Sequence, residues 1–388
     1  MVDRTKKIIA LLAFMIYGWF YFGTTSFVVG QGQMQSSSQG NTTFSKWRPT
    51  HELPGVRYVG ASTCAQCHTY QAEKFFSTPM SHALESVSDC DLLIKRPRLT
   101  FSEGPYSYQI TRQGNRSIYT VSDGANTISE PILYCFGQGV AGQTYVLQHK
   151  GALYEGRVSY FQELRNLNIT ILHPRSIPTS LESALGRLMS PEGARGCFGC
   201  HSTAAVSRSE LQLDRLVPGV SCEACHGPGE KHVAAVKTRN FKDLQIFNPA
   251  NLDSFDLTQE FCGACHMSFE QAIGMADHGG INNLRFQPYR IFSSRTHFKN
   301  DPRISCLACH DPHDHLEHEA SFYDSKCLAC HLSDSKEART ETRTAAACPV
   351  SKQLCVTCHM PKVEVPEMHF KFTDHWIRIV KPGEPVPK

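Results

Sequence analysis

The sequence Cys222-Glu-Ala-Cys225-His226 is one of six copies of the pattern Cys-x-x-Cys-His between residues 197 and 359. A seventh copy stands alone at residues 64–68. This is the attachment pattern of c-type haem, in which two thiols bond to the haem vinyl groups and the adjacent imidazole binds the iron. The residues of the seven patterns are Cys64, Cys67, His68, Cys197, Cys200, His201, Cys222, Cys225, His226, Cys262, Cys265, His266, Cys306, Cys309, His310, Cys327, Cys330, His331, Cys355, Cys358 and His359.

Composition makes chance a poor explanation for this repetition. With 17 Cys and 19 His in 388 residues, roughly 0.04 copies are expected, against the seven present. Structural zinc is the serious alternative, because Cys-x-x-Cys is also half of a zinc site. Zinc sites do not require a histidine directly after the second cysteine, yet every pair here has one. The pattern therefore predicts a seven-haem cytochrome c, with zinc sites or disulfides as the lesser alternative.

The charge balance gives little support for a nucleic-acid partner. The apo chain has a net charge of +3, and it contains no run of Lys and Arg. Two propionates on each of seven haems would add about 14 carboxylates, so the holo-protein would be clearly acidic. Hydrophobic residues make up 41% of the chain and charged residues 19%, which is typical of ordered proteins.

The start of the chain has the features of an export signal. Arg4, Lys6 and Lys7 precede an apolar run at residues 8–22. An uncleaved membrane anchor is the alternative, because residues 8–29 are long enough to cross a bilayer. We expect a periplasmic or extracellular protein, in keeping with covalent haem attachment after export, and membrane contact only through this N-terminal segment.

The spacing of the motifs predicts the domain organisation. Successive motifs after residue 197 begin 21–44 residues apart, which is too close for a separate domain around each haem. We therefore expect a mainly α-helical and irregular multihaem cytochrome fold with a β-rich insertion, its core built largely from stacked c-type haems. The predicted segments are a signal peptide or N-terminal anchor at 1–30, a linker at 31–57, a first haem segment at 58–90, the β-rich insertion at 91–177 and a six-haem segment at 178–388.

Local patterns predict individual elements. Tyr106 and Tyr108 alternate with polar residues ahead of Gly114-Asn115, which indicates a β-hairpin. Helical periodicity begins at Ser180, and Ser190-Pro191 is typical of the start of another helix. The insertion is expected to cover haem faces, or to present its aromatic hairpins as a docking surface.

Three stretches resemble the cytochrome c554 family and related multihaem cytochromes with doubled Cys-x-x-Cys-His motifs. The resemblance covers residues 58–82 and 172–379 well, and the β-rich insertion only loosely. It implies an exported protein whose haems mostly have two axial histidines and which passes electrons. The stretches are Gly219-Val-Ser-Cys222-Glu-Ala-Cys225-His226-Gly-Pro-Gly-Glu-Lys-His232, Cys306-Leu-Ala-Cys309-His310-Asp-Pro-His313, and Cys355-Val-Thr-Cys358-His359-Met-Pro-Lys362 with the closing Thr373-Asp-His375-Trp376.

A haem that only transfers electrons needs a second axial ligand opposite the motif histidine. Twelve histidines lie outside the motifs, which is an ample supply. His315 and His318 lie in the acidic run at residues 311–319 and are expected to be solvated. The resemblance implies second ligands at His82, His232, His313, His369 and His375, with His173 where a similar element can occur and His297 or His278 as the seventh.

Three cysteines remain outside the motifs: Cys90, Cys135 and Cys348. Because three is an odd number, at least one has no partner within the chain. A disulfide between Cys90 and Cys135 would fasten the β-rich insertion in an exported protein, but spacing alone does not establish it. No chemical role is assigned to Cys348.

Two classes of function fit these patterns. The first is an extracytoplasmic electron carrier, whose partners are redox proteins or a quinol-oxidising membrane complex. The second is an oxidoreductase that converts a small nitrogen or sulfur compound at one five-coordinate haem. Pentahaem nitrite reductases replace one motif histidine with lysine, and no such motif occurs here. The carrier is therefore favoured, no catalytic residue is assigned, and a filament-forming cytochrome is a third, smaller alternative.

Overall fold

The computed structural model describes residues 47–49, 56–294, 297–298, 301–331, 348–381 and 383–386, with only the backbone of residues 276–279. All of them belong to one unit that begins at Asn41. The predicted signal segment and most of the predicted linker lie outside the described residues. Within the described ranges, no helix is both long enough and apolar enough to cross a membrane.

The largest element is a ten-stranded antiparallel sheet. Its main path runs β10-β7-β6-β5-β4-β3-β2, while β1 pairs with β5, and β8 pairs with both β6 and β9. Because β2 and β9 also contact each other, the sheet curls back on itself. The strands are β1 (Leu84–Ser86), β2 (Arg98–Glu103), β3 (Tyr106–Gln113), β4 (Arg116–Ser122), β5 (Thr127–Phe136), β6 (Gly142–His149), β7 (Ala152–Gly156), β8 (Val158–Phe161), β9 (Asn166–Ile169) and β10 (Gly186–Leu188).

Period-two alternation explains why these segments are strands. In β3, Tyr106, Tyr108 and Ile110 are buried, while their neighbours point to the other face. The predicted hairpin at Gly114-Asn115 is confirmed, since β3 and β4 pair from Ser107 with Ser122 to Gln113 with Arg116. Other apolar side chains from the sheet join the same core, among them Tyr119, Val121, Ile132, Tyr145, Leu147, Val158, Tyr160 and Leu167.

The predicted fold class was wrong in its main feature. We expected a helical and irregular fold with a core of stacked haems, in which β structure was only an insertion. Instead, the chain builds a large side-chain core inside the curled sheet, whose strands run from residue 84 to residue 188. The physical reason is that alternating aromatic and branched residues on ten paired strands bury enough apolar surface to form a core by themselves.

The helices are short, and in every motif the first cysteine lies within a helical segment. The predicted helix starts are confirmed: Ser180 accepts the Ser183 N–H, and Ser190 accepts the Gly193 N–H. A π-helix, Asp256–Cys262, precedes α8. The α-helices are α1 (Ala61–Ala65), α2 (Thr69–Phe75), α3 (Asp91–Lys95), α4 (Leu181–Leu185), α5 (Pro191–His201), α6 (Cys222–His226), α7 (Glu230–Lys237), α8 (Gly263–His266), α9 (Phe269–Ile273), α10 (Gln287–Phe292), α11 (Cys306–Cys309), α12 (Asp324–His331) and α13 (Cys355–His359).

Three small antiparallel ribbons connect the helices. Short 3-10 helices lie at Leu213–Arg215, Pro249–Asn251, Ala276–Arg285, Ala320–Tyr323 and Pro366–Met368. The ribbons pair β11 (Ser202–Thr203) with β14 (Val217–Pro218), β12 (Val206–Ser207) with β13 (Glu210–Leu211), and β15 (Lys362–Val365) with β16 (Phe370–Thr373).

If the sheet has a core of its own, shortening one core side chain should destabilise the protein. Leu147 lies in the central strand β6 and is 0% exposed. Leu147→Ala should lower the free energy of unfolding by about 3 kcal/mol, because it leaves a cavity. The matched change Gln148→Ala, at an exposed position of the same strand, should have little effect. Chemical denaturation followed by far-UV circular dichroism measures both, and equal effects would contradict the assignment of this core.

Candidate haem-binding site

Four motif histidines each face a histidine from outside the motifs. The two rings of a pair come from segments far apart in the chain, so the tertiary fold brings them together. The distances between ring centres are 6.3 Å for His68 and His232, 6.0 Å for His226 and His313, 6.3 Å for His310 and His375, and 6.1 Å for His331 and His297.

These separations fit an iron between the rings. An imidazole nitrogen binds a first-row transition metal at about 2.0 Å, and the ring centre lies about 1 Å behind it, so two opposed ligands have centres about 6 Å apart. His226 and His313 are also nearly parallel, with 9° between their planes. The paired residues therefore suit an iron that takes its other four ligands from a porphyrin.

Backbone carbonyls hold several of these rings in one tautomer. His226 Nδ1 lies 2.9 Å from Phe247 O, and His232 Nδ1 lies 2.7 Å from Leu244 O. A carbonyl can only accept, so Nδ1 carries the proton and Nε2 keeps its lone pair. Outer hydrogen bonds of this kind are typical of metal-binding histidines. The Nδ1 atoms of His201, His359 and His375 make the same bond, to Ala83 O, Arg378 O and Thr373 O, each at 2.9 Å.

Thiols of different motifs also lie side by side. Cys64 and Cys222 each exert the largest influence on the pKa of the other thiol, although their motifs are far apart in sequence. The same is true of Cys262 with Cys306 and of Cys200 with Cys265. None of these cysteine pairs is joined by a disulfide bond. The attachment points of separate motifs are therefore neighbours in space.

Comparison with known proteins agrees with this chemistry. Residues 175–227 match the family model described as cytochrome c554 and c-prime. A multiheme cytochrome, MtrA, from Shewanella baltica is 22% identical over 198 residues, which cover 45% of this chain and 54% of the relative. Both matches are therefore to multihaem c-type cytochromes, which this chain resembles over the matched residues. The chain spans about half the length of the curated relative that it matches, and no solved structure matches it.

These matches support the resemblance to multihaem cytochromes inferred from the motifs, and that resemblance implies covalent c-type haem. Among the residues described in this cytochrome, no three His, Cys, Asp or Glu side chains converge on one point as zinc ligands would. Eight of its histidines form four opposed pairs. Haem needs only two opposed histidines from the protein, because the macrocycle supplies the remaining ligands.

Burial favours the neutral form of some of the paired imidazoles. Burial lowers the pKa of His375 to about 4, with smaller contributions from neighbours such as His310. Burial also lowers the pKa values of His226 and His310. A histidine can bind iron only through an unprotonated nitrogen, so a low pKa keeps the ligand form populated near neutral pH.

Three other predicted ligands have different neighbours in the structure. His82 Nδ1 lies 2.9 Å from Glu85 Oε1, and its Nε2 lies 3.0 Å from Phe76 O. His173 Nε2 lies 3.0 Å from Glu155 Oε2. His369 Nε2 lies 3.1 Å from Asn168 Nδ2, and the side chain of His278 lies outside the described residues. The assignment of these histidines as ligands stays a prediction.

A buried ion pair positions His375. Asp374, 0% exposed, accepts hydrogen bonds at 2.8 Å from both Nε and Nη2 of Arg290 on α10, and one at 2.7 Å from Arg378. The bidentate contact fixes the chain directly before His375. Sequence reasoning missed Arg290, which lies 84 residues away. Asp374 could have been suspected only from its place beside a predicted ligand.

Removing the arginine of this ion pair should lower the stability of the protein. Arg290→Met leaves Asp374 buried without its main partner, and should lower the free energy of unfolding by roughly 3–5 kcal/mol. The matched control is Arg303→Met, which removes a half-exposed arginine that pairs with Asp301 on the surface. It should change the free energy of unfolding by about 0.5 kcal/mol. Denaturant unfolding measures both values. A small loss in Arg290→Met would show that this pair does not support the His375 segment.

Proposed function

We propose that this multihaem cytochrome is an extracytoplasmic electron carrier with seven covalently attached haems. The observation that carries the proposal is the set of four opposed imidazole pairs, which we call the axial pairs: 68/232, 226/313, 310/375 and 331/297. When bound, each haem supplies one reversible one-electron site. The count of seven rests on the seven motifs.

Two protein ligands on one iron favour electron transfer over substrate conversion. An enzyme haem leaves one axial position free for its substrate, whereas an axial pair occupies both. Rigid bis-imidazole ligation also supports rapid transfer, because the ligands need not move when the charge changes. The neighbouring thiols of different motifs support a relay, because they bring attachment sites from separate parts of the chain together.

An exported location and redox partners complete the proposal. The predicted signal at residues 1–30 supports the periplasm or the cell exterior. We propose redox proteins or a quinol-oxidising membrane complex as partners, because a carrier needs both a donor and an acceptor. The relative MtrA bears the name of a multiheme cytochrome, which agrees with this class of function.

The number of cofactors can be measured directly. Intact-mass spectrometry of the purified cytochrome under denaturing conditions should give the mass of the polypeptide plus seven haems, because thioether bonds survive denaturation. Changing Cys355 and Cys358 together to alanine should remove one haem and leave six. A wild-type mass with fewer haems would overturn the count, and a mass without haem would overturn the proposed function.

Removing one partner of an axial pair should open a coordination site. In His313→Ala the iron held by His226 loses its second ligand, so the oxidised protein should gain a high-spin electron paramagnetic resonance signal for about one haem. The reduced variant should also bind carbon monoxide. His315→Ala is the matched control, because His315 is a nearby histidine whose Nε2 contacts Ser77 Oγ at 2.6 Å. A spectrum of His313→Ala identical to that of the control would exclude His313 as a ligand.

A further inference from the structure

A buried carboxylate of one attachment motif binds the backbone of another. Glu223 lies between the two cysteines of its own motif and is 2% exposed. Its Oε1 accepts N–H bonds from Val59 and Gly229, and its Oε2 accepts one from Gly60, all at 2.8 Å. Both oxygens act as acceptors and together they bind three backbone N–H groups, which is the pattern of an ionised carboxylate.

The groups that Glu223 binds belong to both halves of one axial pair. Gly60 directly precedes α1, which begins the motif of His68. Gly229 directly precedes α7, which carries His232. Gly229 is needed for this approach, because a Cβ there would lie 2.9 Å from Val59 Cγ2 and 3.3 Å from Glu223 Oε1. One side chain therefore holds the two segments whose rings face each other.

Asp324 repeats this arrangement between two other motifs. It is the first residue of α12, which carries Cys327 and His331, and it is 8% exposed. Its Oδ2 accepts the Leu354 N–H at 2.8 Å and its Oδ1 accepts the Cys355 N–H at 2.9 Å, at the start of α13. Two unrelated pairs of motifs are thus joined in the same way.

Both carboxylates lie where their charge acts on two attachment sites at once. Glu223 interacts electrostatically with the thiols of Cys64 and Cys222. Asp324 interacts electrostatically with Cys327, and it acts on Cys355 through a side-chain hydrogen bond as well as through its charge. A fixed negative charge that is shielded from water stabilises the more positive, oxidised state of an iron nearby.

We propose that Glu223 and Asp324 are positioning residues, each of which fixes one attachment motif against another and lowers the reduction potential of the two haems held there. The proposal rests on the proposed electron-transfer function, because it concerns the potentials of the bound haems. The same arrangement occurs twice, because each carboxylate belongs to one motif segment and binds the first residues of a neighbouring segment. This repetition supports a shared role in holding two haems side by side.

The test uses the full-length holo-cytochrome. Glu223→Gln and Asp324→Asn remove the charge and keep the size of the side chain, and Glu192→Gln is the matched control on the exposed first turn of α5. In a spectroelectrochemical titration, Glu223→Gln and Asp324→Asn should each raise the reduction potential of two haems. The control curve should overlie that of the wild type.

Glu223→Asp separates charge from position. It keeps the charge but shortens the reach, so it should alter the low-spin resonance of the 68/232 pair while shifting the titration less than Glu223→Gln does. If Glu223→Gln does not accumulate with its full haem mass, the low-spin resonance and the redox titration of Glu223→Asp test the role of Glu223 instead. Unchanged titrations and spectra in variants that carry their full haem mass would overturn the proposal. Absence of haem from the wild type would instead overturn the proposed function.

Discussion

Binding one iron between two imidazoles imposes a strict distance on a chain that supplies the two rings from distant positions. The ring centres must lie about 6 Å apart, with the bonding nitrogens directed inward and the other nitrogens hydrogen-bonded elsewhere. His68 and His232 meet the distance, 6.3 Å between ring centres, across 164 residues of sequence. Short helices, carbonyl acceptors and the Arg290–Asp374 ion pair hold the rings at this distance.

The curled sheet solves a different physical problem. Its aromatic and branched side chains pack against one another, so this part of the molecule gains apolar burial without a cofactor. The two parts meet around α5, where Phe198 packs against Tyr134 and Phe136, and where His201 lies beside Phe136 and donates to Ala83 O. The sheet therefore also forms part of the surroundings of one attachment motif.

Carboxylates have two roles in the part of the chain that bears the motifs. Asp374 is neutralised by arginines, and thus mainly anchors a ligand segment. Glu223 and Asp324 accept bonds from backbone N–H groups, which carry no formal charge, so the charge of each carboxylate remains available to act on nearby groups. An ion pair and a backbone-bound carboxylate can both fix a chain. In the ion pair the arginine neutralises the carboxylate, whereas backbone N–H groups carry no formal charge and do not.

The haem chemistry could be predicted from the sequence alone, because Cys-x-x-Cys-His is a local pattern. The sequence also determined local elements such as the hairpin of β3 and β4 and the helices that begin after Ser180 and Ser190, since alternation and capping act over a few residues. The prediction of a core built largely from haems was wrong, because motif spacing contains no information on the apolar surface that ten paired strands bury together. Three contacts became visible only in the folded chain: His297 with His331, Arg290 with Asp374, and Glu223 with Gly60. These contacts join residues that are far apart in the chain, and local sequence patterns do not predict such long-range contacts.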